Sequence, residues 1–135
     1  MLELSTTTTQ TVPAGQAITF DVALWDKSCF TKWRRLTSGV VFNECLPNSA
    51  VFDVRFSGNV GGSTAATAVQ LQLTLGGTAL PETLTVSTPA AVGDLNNVSN
   101  GTWVPGNAGN LTLVNTGVTP IVIGPGFNLR VNRVA

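Results

Sequence analysis

Side-chain catalysis needs a base beside a nucleophile, or two carboxylates facing one cleft, and this chain is poor in both. It has no histidine and no tyrosine, which excludes Ser-His and Cys-His pairs. Its acids are scattered as Glu3, Asp21, Asp26, Glu44, Asp53, Glu82 and Asp94, none of them in a motif. A glycosidase-like pair would require Asp21 and Asp53 to meet on neighbouring strands, and nothing else in the sequence favours that. The Gly-rich stretches lack the following Lys-Ser/Thr and the helix of a phosphate loop. Cys29 and Cys45, with no histidine to help them, make a poor zinc site. The chain therefore reads as a non-enzyme with no cofactor and no metal. The two cysteines either close a loop, worth roughly 3 kcal/mol if unstrained, or remain two buried free thiols.

Binding chemistry is better represented. Between Trp25 and Arg35 (WDKSCFTKWRR) the chain places Trp25, Phe30 and Trp33 among Lys27, Lys32, Arg34 and Arg35. Tryptophan and arginine are common anchors of protein interfaces, and aromatic faces also stack on sugars. The segment has no sustained period and reads as a long loop carrying an exposed aromatic-basic patch. In the competing reading, one or both tryptophans plug the end of the fold and the bases only solvate the loop. Nucleic-acid binding is a weak reading, because seven acids balance seven bases.

The elements that must position these residues are strands. In VFDVRFSGNVGGSTAATAVQLQLTL (51–75), Phe52, Val54 and Phe56 alternate with Asp53, Arg55 and Ser57. Val69, Leu71, Leu73 and Leu75 then alternate with Gln70, Gln72 and Thr74. A period of two puts one face of each strand on a dry core and leaves the other polar. GNVGGSTAAT reads as the loop between them. Ile18, Phe20, Val22 and Leu24 give another alternating strand, and Thr6 to Val12 is extended up to the turn at Pro13-Ala14-Gly15. Shorter strands follow at Val40 to Phe42, at Leu84 and Val86, and from Asp94 to Val104 with Gly101 inside at a bulge. Trp103 in that strand reads as core or subunit contact. Leu111 with Leu113, Ile121 to Ile123, and Phe127 with Leu129 and Val131 complete the set, and Gly76-Gly77 marks a tight hairpin. Turn signals every 8–12 residues or so and no helical stretch predict one all-β domain over 1–135. The predicted fold is an antiparallel β-sandwich, barrel or jelly roll of eight to ten strands.

Charged residues make up 10% of the chain, against roughly 25% in ordinary soluble domains. Mixed surface charge normally suppresses association, so part of this exterior is expected to be buried between copies. No apolar run is long enough for a transmembrane helix. The start, MLELSTTTTQ, has neither the basic segment nor the apolar core of a signal peptide, so no signal peptide is expected. Asn97-Val98-Ser99 and Asn110-Leu111-Thr112 match the glycosylation sequon and read as accidental without a signal peptide.

Three segments carry a more definite likeness: FDVRFSGNVGGSTAATAVQLQLTLGGTALPETLTVSTPAA, NNVSNGTWV and NLTLVNTGVTPIVIGPGFNLRVNRVA. Their "LxLGGxxLP" hairpin and closing "NLxVxRVA" resemble small virion proteins of phages and prophages of Firmicutes. That group is similar to the trimeric jelly roll of the tumour-necrosis-factor and complement globular-head class. The match covers about 40–135, and no catalytic signature anchors it. It implies a homotrimer on a virion, made in the host cytoplasm. The roles it implies are a capsid decoration protein or head fibre bound to the major capsid protein, or a receptor- or glycan-binding tip of a fibre or tail appendage. The absence of shaft repeats favours decoration. On this reading Asp53, Arg55, Gln70, Gln72, Arg130 and Arg133 meet other copies, or else are ordinary solvent-facing strand residues. Trp25, Lys27, Lys32, Trp33, Arg34 and Arg35 are the expected capsid contact. Cys29 and Cys45 fall where such proteins often carry a cysteine pair. The Trp25 to Arg35 segment is longer and more aromatic than the group's pattern, so its role is not inherited.

Overall fold

Alternation between Val51 and Val60 produces the strand around which the first sheet is arranged. In the computed structural model this strand, β6, runs over Val51–Gly62, with Phe52, Val54, Phe56 and Val60 buried and Arg55, Ser57 and Asn59 exposed. The structure describes every residue except 1, 27–32, 43–50, 64–67, 90, 92–93, 106–108 and 135. For 25–26, 33–36 and 41–42 it describes the backbone alone.

In chain order the strands are β1 (Leu2–Ser5), β2 (Gln10–Val12), β3 (Val22–Asp26), β4 (Trp33–Leu36), β5 (Gly39–Phe42), β6, β7 (Val69–Leu75), β8 (Thr78–Ala79), β9 (Thr85–Ser87), β10 (Asn96–Pro105), β11 (Asn110–Asn115), β12 (Ile121–Ile123) and β13 (Asn128–Arg133). One 3-10 turn, Pro81–Thr83, lies between β8 and β9, and no α-helix occurs among the described residues.

All pairings are antiparallel and form two sheets. In the first, β10 pairs with β6 along its whole length, and β13 and β12 share the opposite edge in tandem. β1 continues the sheet from β13, then β3 from β1, while β2 pairs with β12. The second sheet runs β4-β5-β11-β7, with β8 and β9 in tandem on the far edge of β7. With β1/β2, β8/β9 and β12/β13 each merged as tandem pieces, and the outer edge strands β3 and β4 set aside, eight runs remain, in the orders first-eighth-third-sixth and second-seventh-fourth-fifth. That is the winding of a jelly roll.

The core lies between the sheets. Phe20, Phe52, Phe56 and Phe127 are its largest fully buried side chains, packed with Leu2, Leu4, Leu71, Leu73, Leu111 and Leu113. Each such burial contributes about 1.5–3 kcal/mol. Phe56 and Phe127 stack with ring centroids 6.3 Å apart. Side chains on the inward register of β10 lace the sheets together along one long side. Asn96 Nδ2 donates to Ser87 Oγ (2.9 Å), Asn100 Nδ2 to Thr85 Oγ1 (3.2 Å) and Thr102 Oγ1 to Glu82 Oε1 (3.1 Å).

Several sequence expectations change here. The strand continues through the glycines to Gly62 rather than ending in a loop at Gly58. Gly58 is there for closeness: a Cβ would come within 2.3 Å of the Phe127 ring. The run from Ile18 to Leu24 is two pieces. Ile18 N–H donates to Leu113 O (2.8 Å) and Phe20 N–H to Thr37 O (2.6 Å), beside the second sheet, whereas β3 pairs with β1 in the first. The chain changes sheets near Asp21, so the apolar alternation that buries Ile18 and Phe20 leaves Leu24 exposed. Leu84 and Val86, the apolar residues of the short strand expected there, are exposed. Trp25–Asp26 and Trp33–Leu36 belong to strands rather than to one long loop. The start of the chain also adds a strand, Leu2–Ser5, that the sequence reading lacked.

Candidate functional site

The outer face of the first sheet gathers residues from four strands. The register sets Trp103 opposite Asp53 and Gly101 opposite Arg55 across β10–β6, and Arg130 opposite Arg55 across β13–β6. Glu3 lies opposite Arg130 on β1. Like charges directly opposite on a sheet repel, and each arginine here has its own acid. Arg55 Nε donates to Asp53 Oδ2 at 3.0 Å, and one terminal nitrogen of Arg130 donates to Glu3 Oε1 at 3.4 Å. The patch is thus close to neutral, and its guanidinium groups remain well exposed. As exposed pairs, the two bridges contribute little to stability, about 0–1 kcal/mol each.

Asp53, Arg55, Gly101, Trp103 and Arg130 border a half-open groove of about 530 Å³. Trp103 stands beside it 67% exposed, so the core reading of that residue is excluded. Gly101 pairs in regular register with Arg55, without a bulge. Its missing side chain is a matter of space, since a Cβ would lie 2.6 Å from Val54 O and 2.8 Å from Arg55 Cγ. Asn128, also lining the groove, carries a buried Oδ1 with no hydrogen-bond partner.

The six residues expected to meet other copies fall into separate places. Asp53, Arg55 and Arg130 share this face. Arg133 is exposed near the end of β13, opposite Phe52. Gln70 and Gln72 lie on the outer face of the second sheet, where Gln70 Nε2 donates to Thr116 Oγ1 (3.0 Å) and Gln72 Nε2 to Leu80 O (3.4 Å). Of the expected capsid contact, Trp25 lies in β3 at the edge of the first sheet. Trp33, Arg34 and Arg35 lie in β4 at the edge of the second. Lys27, Lys32, Cys29 and Cys45 lie outside the described residues.

Asp21 and Asp53 do not form a pair. Asp53 sits on β6, with β13 and β1 between it and β3, and Asp21, just before β3, accepts hydrogen bonds from the hydroxyl and the N–H of Thr7. The hydroxyl bond, then the N–H bond, hold the Asp21 carboxyl below its ordinary value of 3.8. Among the described residues, no three of His, Cys, Asp or Glu gather as a metal site would require. No helix there is long and apolar enough to cross a membrane.

The sequence reading leaves Trp103 between core and subunit contact, and does not find the groove. The available signal was parity: Trp103 shares the register of Asn97 and Ser99, not of the buried Val98 and Val104.

No family model matches the chain, and no curated protein does. Among solved structures, it is similar to PRD1 vertex protein P5, at a TM-score of 0.47 and 16% identity over 95% of this chain and 93% of that one. Overlap at that level carries no argument about function.

Proposed function

We propose that this chain is a structural protein of a phage particle, a jelly-roll homotrimer that decorates the capsid surface by binding the major capsid protein. The observation that carries the reading is the jelly-roll strand order. It agrees with the fold implied by the "LxLGGxxLP" and "NLxVxRVA" resemblance. An exterior this poor in charge supports burial between copies. We place that contact on the outer face of the second sheet. Gln70 and Gln72 there neighbour exposed Leu84 and Val86, and charge depletion is what interface centres show. Capsid attachment falls to Trp25, Lys27, Lys32, Trp33, Arg34 and Arg35, where three-fold symmetry would multiply a weak contact.

Light scattering should give three times the 14.0 kDa of one chain, and the protein should pellet with bare capsids. Val86→Asp should release monomers. Trp33→Ala with Arg34→Ala should weaken capsid binding while leaving the fold intact. A solitary 14.0 kDa species with no affinity for capsids would overturn the proposal. The second reading, a glycan-binding module of a fibre or tail appendage, draws support from the groove beside Trp103.

A further inference from the structure

We infer that the groove on the outer face of the first sheet, walled by Trp103 and floored at Gly101, is a binding site for an uncharged pyranose saccharide. Four observations converge. Trp103 offers an aromatic face, and most of its surface is in water. Such a face packs against the C–H side of a sugar ring while the ring's hydroxyls stay polar. Around it stand the forked donors and acceptors that adjacent hydroxyls require. The Arg55 side chain is 71% exposed, and Asp53 takes its Nε, leaving the terminal nitrogens to donate. Asn128 adds a further polar side chain to the lining, with its Oδ1 closed off from solvent. The volume, about 530 Å³, falls within the range of small-ligand sites.

Charge selects the ligand class. Both arginines are matched by Asp53 and Glu3 within the same chain. A carboxylated sugar would meet arginines whose charge is already offset and would be repelled by Asp53 and Glu3, whereas a neutral sugar adds its hydrogen bonds to the unused donors without that repulsion. The same matching disfavours a second copy as the occupant. A protein surface would desolvate two satisfied ion pairs and return little.

The experiment uses the whole chain with maltotriose, lactose and chitotriose as neutral probes and sialyllactose as the carboxylated one, read by saturation-transfer NMR and by the indole N–H resonances. At least one neutral probe should bind and shift the Trp103 resonance. Trp103→Ala should weaken that binding about tenfold or more. Ser99→Trp, which fills the groove from an exposed position, should abolish it. Neither change should alter the molecular mass in light scattering. Failure of all three neutral probes overturns the inference, as does tighter binding of sialyllactose or undiminished binding by Trp103→Ala. A drop in mass with either variant shows that another copy covers the groove, and overturns it too. Capsid pelleting is unaffected by any of these results, so the virion reading stands or falls separately.

Discussion

On the outer face of the second sheet, polar side chains are turned back onto their own chain. Gln70 bonds Thr116, Gln72 bonds Leu80 O, and the hydroxyls of Thr74 and Thr112 bond each other. On the outer face of the first, Arg55 and Arg130 keep free donors and Trp103 stands in solvent. Both faces arise from the same two-residue period over the same core. What separates them is whether polar groups are satisfied locally or left pointing outward. Neutral groups already bonded within the chain can be covered by a flat partner at little cost, while charged groups with unused donors favour a ligand that supplies the missing bonds.

The largest effect that could blur this contrast comes from the core beneath both faces. Phe127→Ala removes the ring that packs on Phe56 and Gly58 and should cost about 3–5 kcal/mol in denaturant unfolding. A smaller loss would mean that the groove floor is softer than its packing implies.

Next come single polar groups. Buried Thr83 donates to Leu80 O at 2.8 Å and accepts from Leu73 N–H at 3.0 Å. Thr83→Val should cost about 1–3 kcal/mol, while Arg130→Ala on the outer face of the first sheet should cost no more than about 1 kcal/mol. Equal losses in thermal unfolding would erase the distinction between locally satisfied and outward-facing groups.

The smallest effect is an acid one. Asp21 is ionised more readily in the fold than in the unfolded chain, because the Thr7 hydroxyl and N–H bond its carboxylate. A lowered value means its contribution is complete above 3.8 and fades as pH falls below that. The advantage of the native chain over Asp21→Asn should therefore be visible at neutral pH and shrink in acid. A constant difference across pH would show that the bond, not the charge, is what counts.

Much of the fold was legible, and the errors have physical causes. Phe52 to Phe56, Val69 to Leu75 and Leu111 to Leu113 each keep one partner sheet, so their alternation reads true. Gly76-Gly77 was read correctly as a hairpin because both residues need positive φ. From Ile18 to Leu24 the chain changes sheets midway, and a change of sheet leaves no mark in composition. Leu84 and Val86 alternate as a core strand would, on the wrong parity. Gly58 read as looseness, although it serves a close approach that depends on a ring sixty-nine positions later. The groove was the least legible part. Glu3 and Arg130 lie 127 positions apart, and nothing local announces that they pair. Asp53 and Arg55 stand on the polar side of their strand and Arg130 is expected to pair with acids of another copy, and only the register shows that Glu3 of the same chain is its partner and that Trp103 joins them.

The pairing of β1 with β13, and of β13 with β6, has a consequence for how the molecule is made. The middle of the first sheet joins strands far apart in sequence, so during synthesis β6 waits for β13, whose pairing residues 128–133 come long after it, before its second edge is covered. Such long-range closure is slow, on the order of milliseconds to seconds. Until then a twelve-residue strand, rich in phenylalanine and valine, presents bare hydrogen-bonding groups to its surroundings. Yield in a cell should thus depend on temperature and expression rate more steeply than the finished molecule's stability would suggest.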